Sequence, residues 1–342
     1  MRAWNVAVAT ALAACTLLGL AFASQSERQT LAQAGAAGLP RLTGPYFGQK
    51  PPGTVPEPFA PDAFRGVEVH ESPAFSRDGT ELFVNVMGND EQLRYFRSIN
   101  GAWARETPPF DVPQYLNGLF LSPSGRRLYM LVFEDGRENF YYLEHREGRW
   151  SKRRSLGSEV NSLATHWSFS IASSEYIYFA SEGDLYVSRF DGQTQTRPVK
   201  LPAPVNTAAA EMTPFVGPDE SYLLFARDER TGSAPSGRIA KDLFISFRLN
   251  GDAWSEAVEL GPGIYVPGVD DICPMVSPDG KYLFFVSRRI DRAFRVFWVD
   301  AGVVEDVRHR GGGHAPVEDS MVGQCPVPRN EPTTARNEEL YR

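Results

Sequence analysis

The stretch Ser277–Ser287, SPDGKYLFFVS, decides how the chain is read. It predicts a strand end, a tight hairpin turn at Asp279-Gly280 and a second strand. Asp-Gly between two apolar runs is a strong hairpin signal, because both central residues of the favoured turn need φ > 0. Tyr282, Leu283, Phe284 and Phe285 are apolar without alternation, which predicts a strand packed on both faces. The pattern recurs. PAFSRDGTELFV occupies Pro73–Val84, LFLSPSGRRLYML Leu119–Leu131, FSIASSEYIYFA Phe169–Ala180 and PFVGPDESYLLFA Pro214–Ala226. Aligned on the second turn residue, these give Gly79, Gly125, Glu175, Glu220 and Gly280, spaced by 46, 50, 45 and 60 residues.

A period of this length predicts one closed array whose units share a core. Each unit has a second half with an aromatic-polar strand: LRYFRS from Leu93, NFYYLEH from Asn139, DLYVSRF from Asp184, DLFISFR from Asp242 and RVFWVD from Arg295. Three of these run into a turn and a Trp (Trp103, Trp150, Trp254), best read as blade-packing residues. About four short strands per unit is a propeller blade, so the fold class is all-β, a single β-propeller of five four-stranded antiparallel blades. Six blades is the alternative if the segment before Val67 adds strands. AGVVEDV after Asp300 is a weak fourth strand, so the N-terminal PEPFAPDAF, Pro56–Phe64, is expected to complete the last blade and close the ring. The prolines of Gly44–Pro61 speak against helix and for an extended segment. No amphipathic helix is expected anywhere. Turns at Ser122 and Ser173 lack the Asp-Gly pair, which predicts altered geometry there. Asp228–Asp242 reads as an inserted blade loop.

Residues 1–23 read as a signal peptide: Arg2 is the one charge, Val6–Ala23 is almost wholly apolar, and Ala21-Phe22-Ala23 fits a small-x-small cleavage site. An uncleaved anchor and a lipoprotein acylated at Cys15 are the alternatives, and all three place the body in the periplasm or outside the cell. Residues 24–44 read as a flexible linker, 45–307 as the propeller and 308–342 as a Gly/Pro-rich tail. Two cysteines remain in the exported body, Cys273 and Cys325, and an oxidising compartment favours a disulfide between them. The net charge of −7 argues against a nucleic-acid partner. There is no Gly-x-Ser-x-Gly, phosphate loop, Cys-x-x-Cys or His-Glu-x-x-His.

These pieces carry a family likeness. YFGQKPPGTVPEPFAP from Tyr46, SPAFSRDGTELF from Ser72, DLYVSRFDG from Asp184 and the run from Ser277 to Asp300 resemble bacterial exported WD40-like β-propeller repeat proteins of the TolB-like group. The resemblance covers roughly Tyr46 to Asp300. It implies a periplasmic or surface propeller and hands over no catalytic set.

One constellation emerges from the repeat alignment. Nine residues before the reference turn position stand His70, Leu116, His166, Glu211 and Asp271, with Asn117 and Asp270 adjacent. If the strand that follows is innermost, these side chains converge at one channel mouth, with Arg227 and Arg288 at its rim. Two imidazoles and two carboxylates there suit a divalent metal or acid/base chemistry on a sugar or peptide, and an arginine beside carboxylates can clamp an anion. The competing reading is that polar residues at equivalent turns cap strands and form structural ion pairs. Two functions follow. The first is a non-catalytic exported propeller, expected to be a monomer, that binds a protein, an envelope component or a glycan, touching the membrane only through an uncleaved leader or lipid anchor. The second is a carbohydrate-active hydrolase or lyase using His70, His166, Glu211 and Asp271.

Overall fold

The computed structural model describes residues 42–87, 91–229 and 240–310. They form a five-bladed β-propeller of antiparallel meanders. Blade 1 runs from a split inner strand, Glu68–Val69 and Ala74–Phe75, through Glu81–Met87 and Leu93–Ile99 to Ala102–Glu106. Blade 2 comprises Leu116–Leu121, Arg127–Glu134, Arg137–Arg146 and a split outer strand, Arg149–Trp150 and Arg154–Ser155. Blade 3 comprises Trp167–Ile171, Ile177–Ser181, Asp184–Ser188 and Val199–Lys200, and blade 4 Ala210–Val216, Tyr222–Glu229, Ala240–Phe247 and Val258–Glu259. Blade 5 contains Asp271–Val276, Tyr282–Ser287 and Arg295–Asp300. Its outer strand is Glu57–Pro58, with Glu57 opposite Trp298 and Pro58 opposite Phe297, so the ring closes through the N-terminal segment as expected.

Every residue of Tyr282–Ser287 is buried, which explains its unbroken apolar run. Blades pack face to face on such strands. Leu128, Met130 and Val132 meet Phe83 and Tyr95 between blades 1 and 2, whereas Tyr129 and Leu131 meet Phe169 and Phe179 between blades 2 and 3. At the closing seam Phe59 touches Phe75, Phe284 and Trp298.

The hairpin turns differ from the expected type. In each, only the reference residue has φ > 0, and its N–H donates to the carbonyl three residues back, as from Gly79 to Ser76 and from Gly280 to Ser277. This is a type I turn followed by a left-handed residue. Side chains select it: Asp78 Oδ1 accepts from the Thr80 N–H, and Ser76 Oγ accepts from the Glu81 N–H. The altered geometry expected at Ser122 is absent, since Gly125 repeats the turn, but that expected at Ser173 is present. Glu175 keeps the left-handed position at φ 65°, yet the hairpin is one residue shorter, with Ile171 opposite Ile177 and the Ala172 N–H donating to the Tyr176 carbonyl. Glu175 and Glu220 accept the left-handed conformation because their carboxylates reach across a blade seam. Tyr129 donates to Glu175 at 2.8 Å and Tyr178 to Glu220 at 2.6 Å.

Two segments depart from the extended reading. Pro45–Gly48 forms a 3₁₀ turn, with Pro at its start, where a missing N–H costs nothing. Gly302–Arg310, expected as weak strand or tail, is an α-helix (α1). The blade 5 edge is already paired with Glu57–Pro58, Asp300 Oδ1 accepts from the Gly302 N–H at the helix start, and Val303, Val304 and Val307 form one buried face. Among the described residues, no helix is long and apolar enough to cross a membrane. The leader, Cys15, residues 24–41, Cys325 and the tail after Arg310 lie outside the described residues, as does most of the blade 4 insertion.

Candidate functional site

The inner strands begin at one face and meet their hairpin turns at the other, here called the loop face and the turn face. Their starting residues do not converge as the alignment predicted. His166 is 1% exposed and wedged between Phe140 and Phe179, with Nε2 3.2 Å from the Val160 carbonyl. Burial holds its imidazole below the usual histidine range. Glu211 is wholly buried and accepts from Arg227 Nε at 2.9 Å and from Thr207 Oγ1 at 2.6 Å. Arg227 also donates to the Val205 carbonyl and lies over Phe244.

Asp271 is bound by Arg289 at 3.0 and 2.9 Å, and Arg289 donates in turn to the Ile264 carbonyl. Burial pushes the Asp271 carboxyl up, and Arg289 opposes the shift. Arg288, expected at the rim near this carboxylate, lies 3.9 Å from Asp270 and over the Phe294 ring. In three consecutive blades the polar side chain at this position, directly or through an arginine, ties down the equivalent carbonyl of the preceding loop: Val160, Val205 and Ile264. Leu116 fills the place with an apolar side chain.

The cause is a bulge. Register shifts fall between Leu116 and Gly118, Trp167 and Phe169, Met212 and Phe215, and Ile272 and Met275. Ser168, Thr213 and Cys273 occupy the bulges at φ 21°, 48° and 53°. An inserted residue reverses which side of the strand faces the axis. The channel is therefore lined by residues two positions later: Ser72, Ser168, Thr213 and Cys273, with Gly118 in blade 2.

Blade 1 has a break where the others have a bulge, and the broken segment crosses the channel. His70 Nδ1 lies 2.9 Å from the Asn117 carbonyl in blade 2. Ser168 Oγ of blade 3 donates to Glu71 Oε2 at 3.0 Å. Ser72 Oγ donates to the Cys273 carbonyl in blade 5, and the Cys273 N–H donates to Thr213 Oγ1 in blade 4 at 3.0 Å. Three consecutive side chains thus link blade 1 to blades 2, 3 and 5, and the Cys273 N–H adds blade 4, around a cavity of about 30 Å³. Burial raises the Glu71 carboxyl and, more strongly, the Cys273 thiol. Among the described residues Cys273 has no disulfide partner. Glu71 went unnoticed in the sequence because it recurs in no other repeat; its neighbours Ser72, Ser168, Thr213 and Cys273 are the signal, small or polar at one repeat offset.

Ala74, Phe120, Ser170, Phe215 and Met275 form the next layer toward the turn face. Beyond it opens a funnel of about 530 Å³, lined by Phe75, Phe120, Ile171, Phe215, Val216, Tyr222 and Met275 and rimmed by the turns. The rim hydroxyls are occupied: Ser122 Oγ accepts from the Arg127 N–H, and Ser277 Oγ from the Tyr282 N–H. Among the described residues no group of three or more His, Cys, Asp or Glu is placed to hold a metal ion.

No protein-family model and no curated protein matches the chain. Among solved structures it is similar to a protein assigned as a TolB from Agrobacterium tumefaciens, at 18% identity and a TM-score of 0.45 over 68% of this chain and 77% of that one. It is also similar to TolB from Acinetobacter baumannii, at 13% and 0.42 over 66% and 53%, and so spans about half that protein's length. In fold the chain is a β-propeller. The catalytic domain of a GH62 alpha-L-arabinofuranosidase from Coprinopsis cinerea is similar at 12% and 0.44 over 68% and 91%. Likenesses this distant concern the fold of the propeller and carry no argument about activity.

Proposed function

We propose that the chain is an exported, non-catalytic propeller that binds a protein or another component of the cell envelope in the turn-face funnel. The observation that carries this reading is the contrast between the two ends of the channel. Two carboxylates near the loop face are neutralised inside single blades, Glu211 by Arg227 and Asp271 by Arg289. The turn face instead presents a wide apolar floor inside a rim of turns. A rigid concave surface with apolar lining and few polar groups favours docking, and releases water when covered. Export is supported by the first 23 residues, with their single charge and long apolar run.

The test is a photo-crosslinking amino acid placed at Leu121, in the funnel wall, or at Val199, on the outer edge of blade 3. Irradiation in the producing cells is expected to give a discrete adduct from Leu121 and none from Val199, with the Leu121 adduct lost on adding Met275→Arg. The same adducts at both positions, or none at Leu121, would overturn the funnel as the docking site.

A further inference from the structure

We propose that the cavity at the channel axis is a monovalent-cation site, in which Glu71 supplies the charge and the hydroxyls of Ser72, Ser168 and Thr213 supply neutral oxygen donors. The donors differ from the four side chains that the repeat alignment singled out. The case starts from charge. Glu71 is half-buried at the channel axis, and an ionised carboxylate drawn partly out of water is stabilised by a counter-charge or gives up its charge. Glu211 and Asp271 each have an arginine. Glu71 forms no ion pair with Arg or Lys among the described residues. The one basic side chain acting on it is His70, whose ring is engaged with the Asn117 carbonyl.

The hydrogen-bond inventory leaves the oxygens ready to coordinate. Ser168 uses its proton on Glu71 and Ser72 uses its proton on the Cys273 carbonyl, while Thr213 accepts from the Cys273 N–H. Each hydroxyl oxygen has two lone pairs, so each keeps at least one. Glu71 Oε1 lies 3.7 Å from where a Cβ on Gly118 would stand, so a larger residue there would crowd the carboxylate. Size narrows the ligand further. About 30 Å³ holds a water or a single ion and no organic molecule. One carboxylate balances one unit of charge, whereas Ca²⁺ and Mg²⁺ sites gain affinity from several anionic oxygens. The wall is also held in a demanding conformation. Three non-glycine residues with φ > 0 recur at one repeat position, including the β-branched Thr213. Such strain persists where the surroundings enforce it, often at ligand sites.

The experiment is thermal unfolding of the full chain in NaCl, KCl or choline chloride at equal ionic strength, choline being too large for the cavity. Na⁺ or K⁺ is expected to raise the Tm of the parent by a few degrees over choline, rising with concentration by mass action. Glu71→Gln, which keeps the shape, is expected to show one Tm in all three salts. Ser168→Ala is expected to need several-fold more salt for half the shift, and carries the test should Glu71→Gln fail to fold. A parent indifferent to the three salts, or a Glu71→Gln variant that keeps the full shift, would overturn the site. So would a salt-indifferent parent that loses stability against Glu71→Gln as pH rises from about 5 to about 8. In that case the cavity holds a neutral carboxylic acid faced by His70 and Cys273, with Lys241 acting on the thiol.

Discussion

Replacing Arg227 by methionine removes the cation that neutralises Glu211 while keeping most of the stem against Phe225 and Phe244. The 2.9 Å contact to Glu211 and the 3.2 Å donation to the Val205 carbonyl are lost, while Thr207 still donates to the carboxylate. Both partners are nearly out of water, with side-chain exposures of 11% and 0%. Removing one member of such a pair costs about 3–5 kcal/mol, because the remaining charge has no compensation. Removing both charges with Glu211→Gln/Arg227→Met leaves a neutral acceptor for Thr207. The double variant is then expected to lose about 1–2 kcal/mol, the worth of the missing hydrogen bonds. Equilibrium urea unfolding at neutral pH, followed by tryptophan fluorescence, separates these values readily. A single variant within about 1 kcal/mol of the parent, or a double variant less stable than the single, would refute the pair as a structural brace.

Other outcomes follow from the same contacts. Phe59→Ala, at the closing seam, is expected to cost about 3–5 kcal/mol, since the ring is 1% exposed and touches Phe75, Phe284 and Trp298; a loss under about 1 kcal/mol by urea unfolding would contradict closure at that seam. Glu220→Gly relieves a left-handed residue by about 1 kcal/mol but forfeits the Arg248 and Tyr178 contacts, about 1.5–3 kcal/mol, so calorimetry should show a net decrease in Tm. His166 titrates below its usual range when folded, so its stabilising contribution is complete above pH about 6.5 and is lost as pH falls toward its depressed value. His166→Phe keeps the aromatic wedge and should make the urea midpoint less sensitive to a fall from about pH 7.5 to about 5.5 than that of the parent; equal sensitivity would argue against a buried neutral imidazole.

Much of the fold was legible because it rests on local chemistry repeated along the chain. Tyr282–Ser287 announces a doubly packed strand by its unbroken apolar run, and four further copies set the blade count. The turn at Asp279-Gly280 differs from the expected type because Ser277 and Asp279 side chains bond the following amides, a three-dimensional detail that selects a type I turn. The helix at Gly302–Arg310 depended on an edge already occupied by residues more than two hundred positions away. Neither Glu57 nor Gly302 carries that information by itself.

The candidate site divides along the same line. The repeat offset places His166, Glu211 and Asp271 at one repeat position, since that position is a property of spacing. Which way they point was decided by a bulge at Ser168, Thr213 and Cys273, whose one inserted residue turns the strand and sends those side chains into the blades. The sequence by itself determined five repeats, closure by the N-terminal strand and a small or polar residue at one inner position of every repeat, because strand period and turn chemistry act over a few residues. Only the tertiary structure decided that Arg289 rather than Arg288 binds Asp271, and that Glu71 crosses the channel. Those outcomes depend on strand register and ring closure, which bring together residues as distant as Ser72 and Cys273.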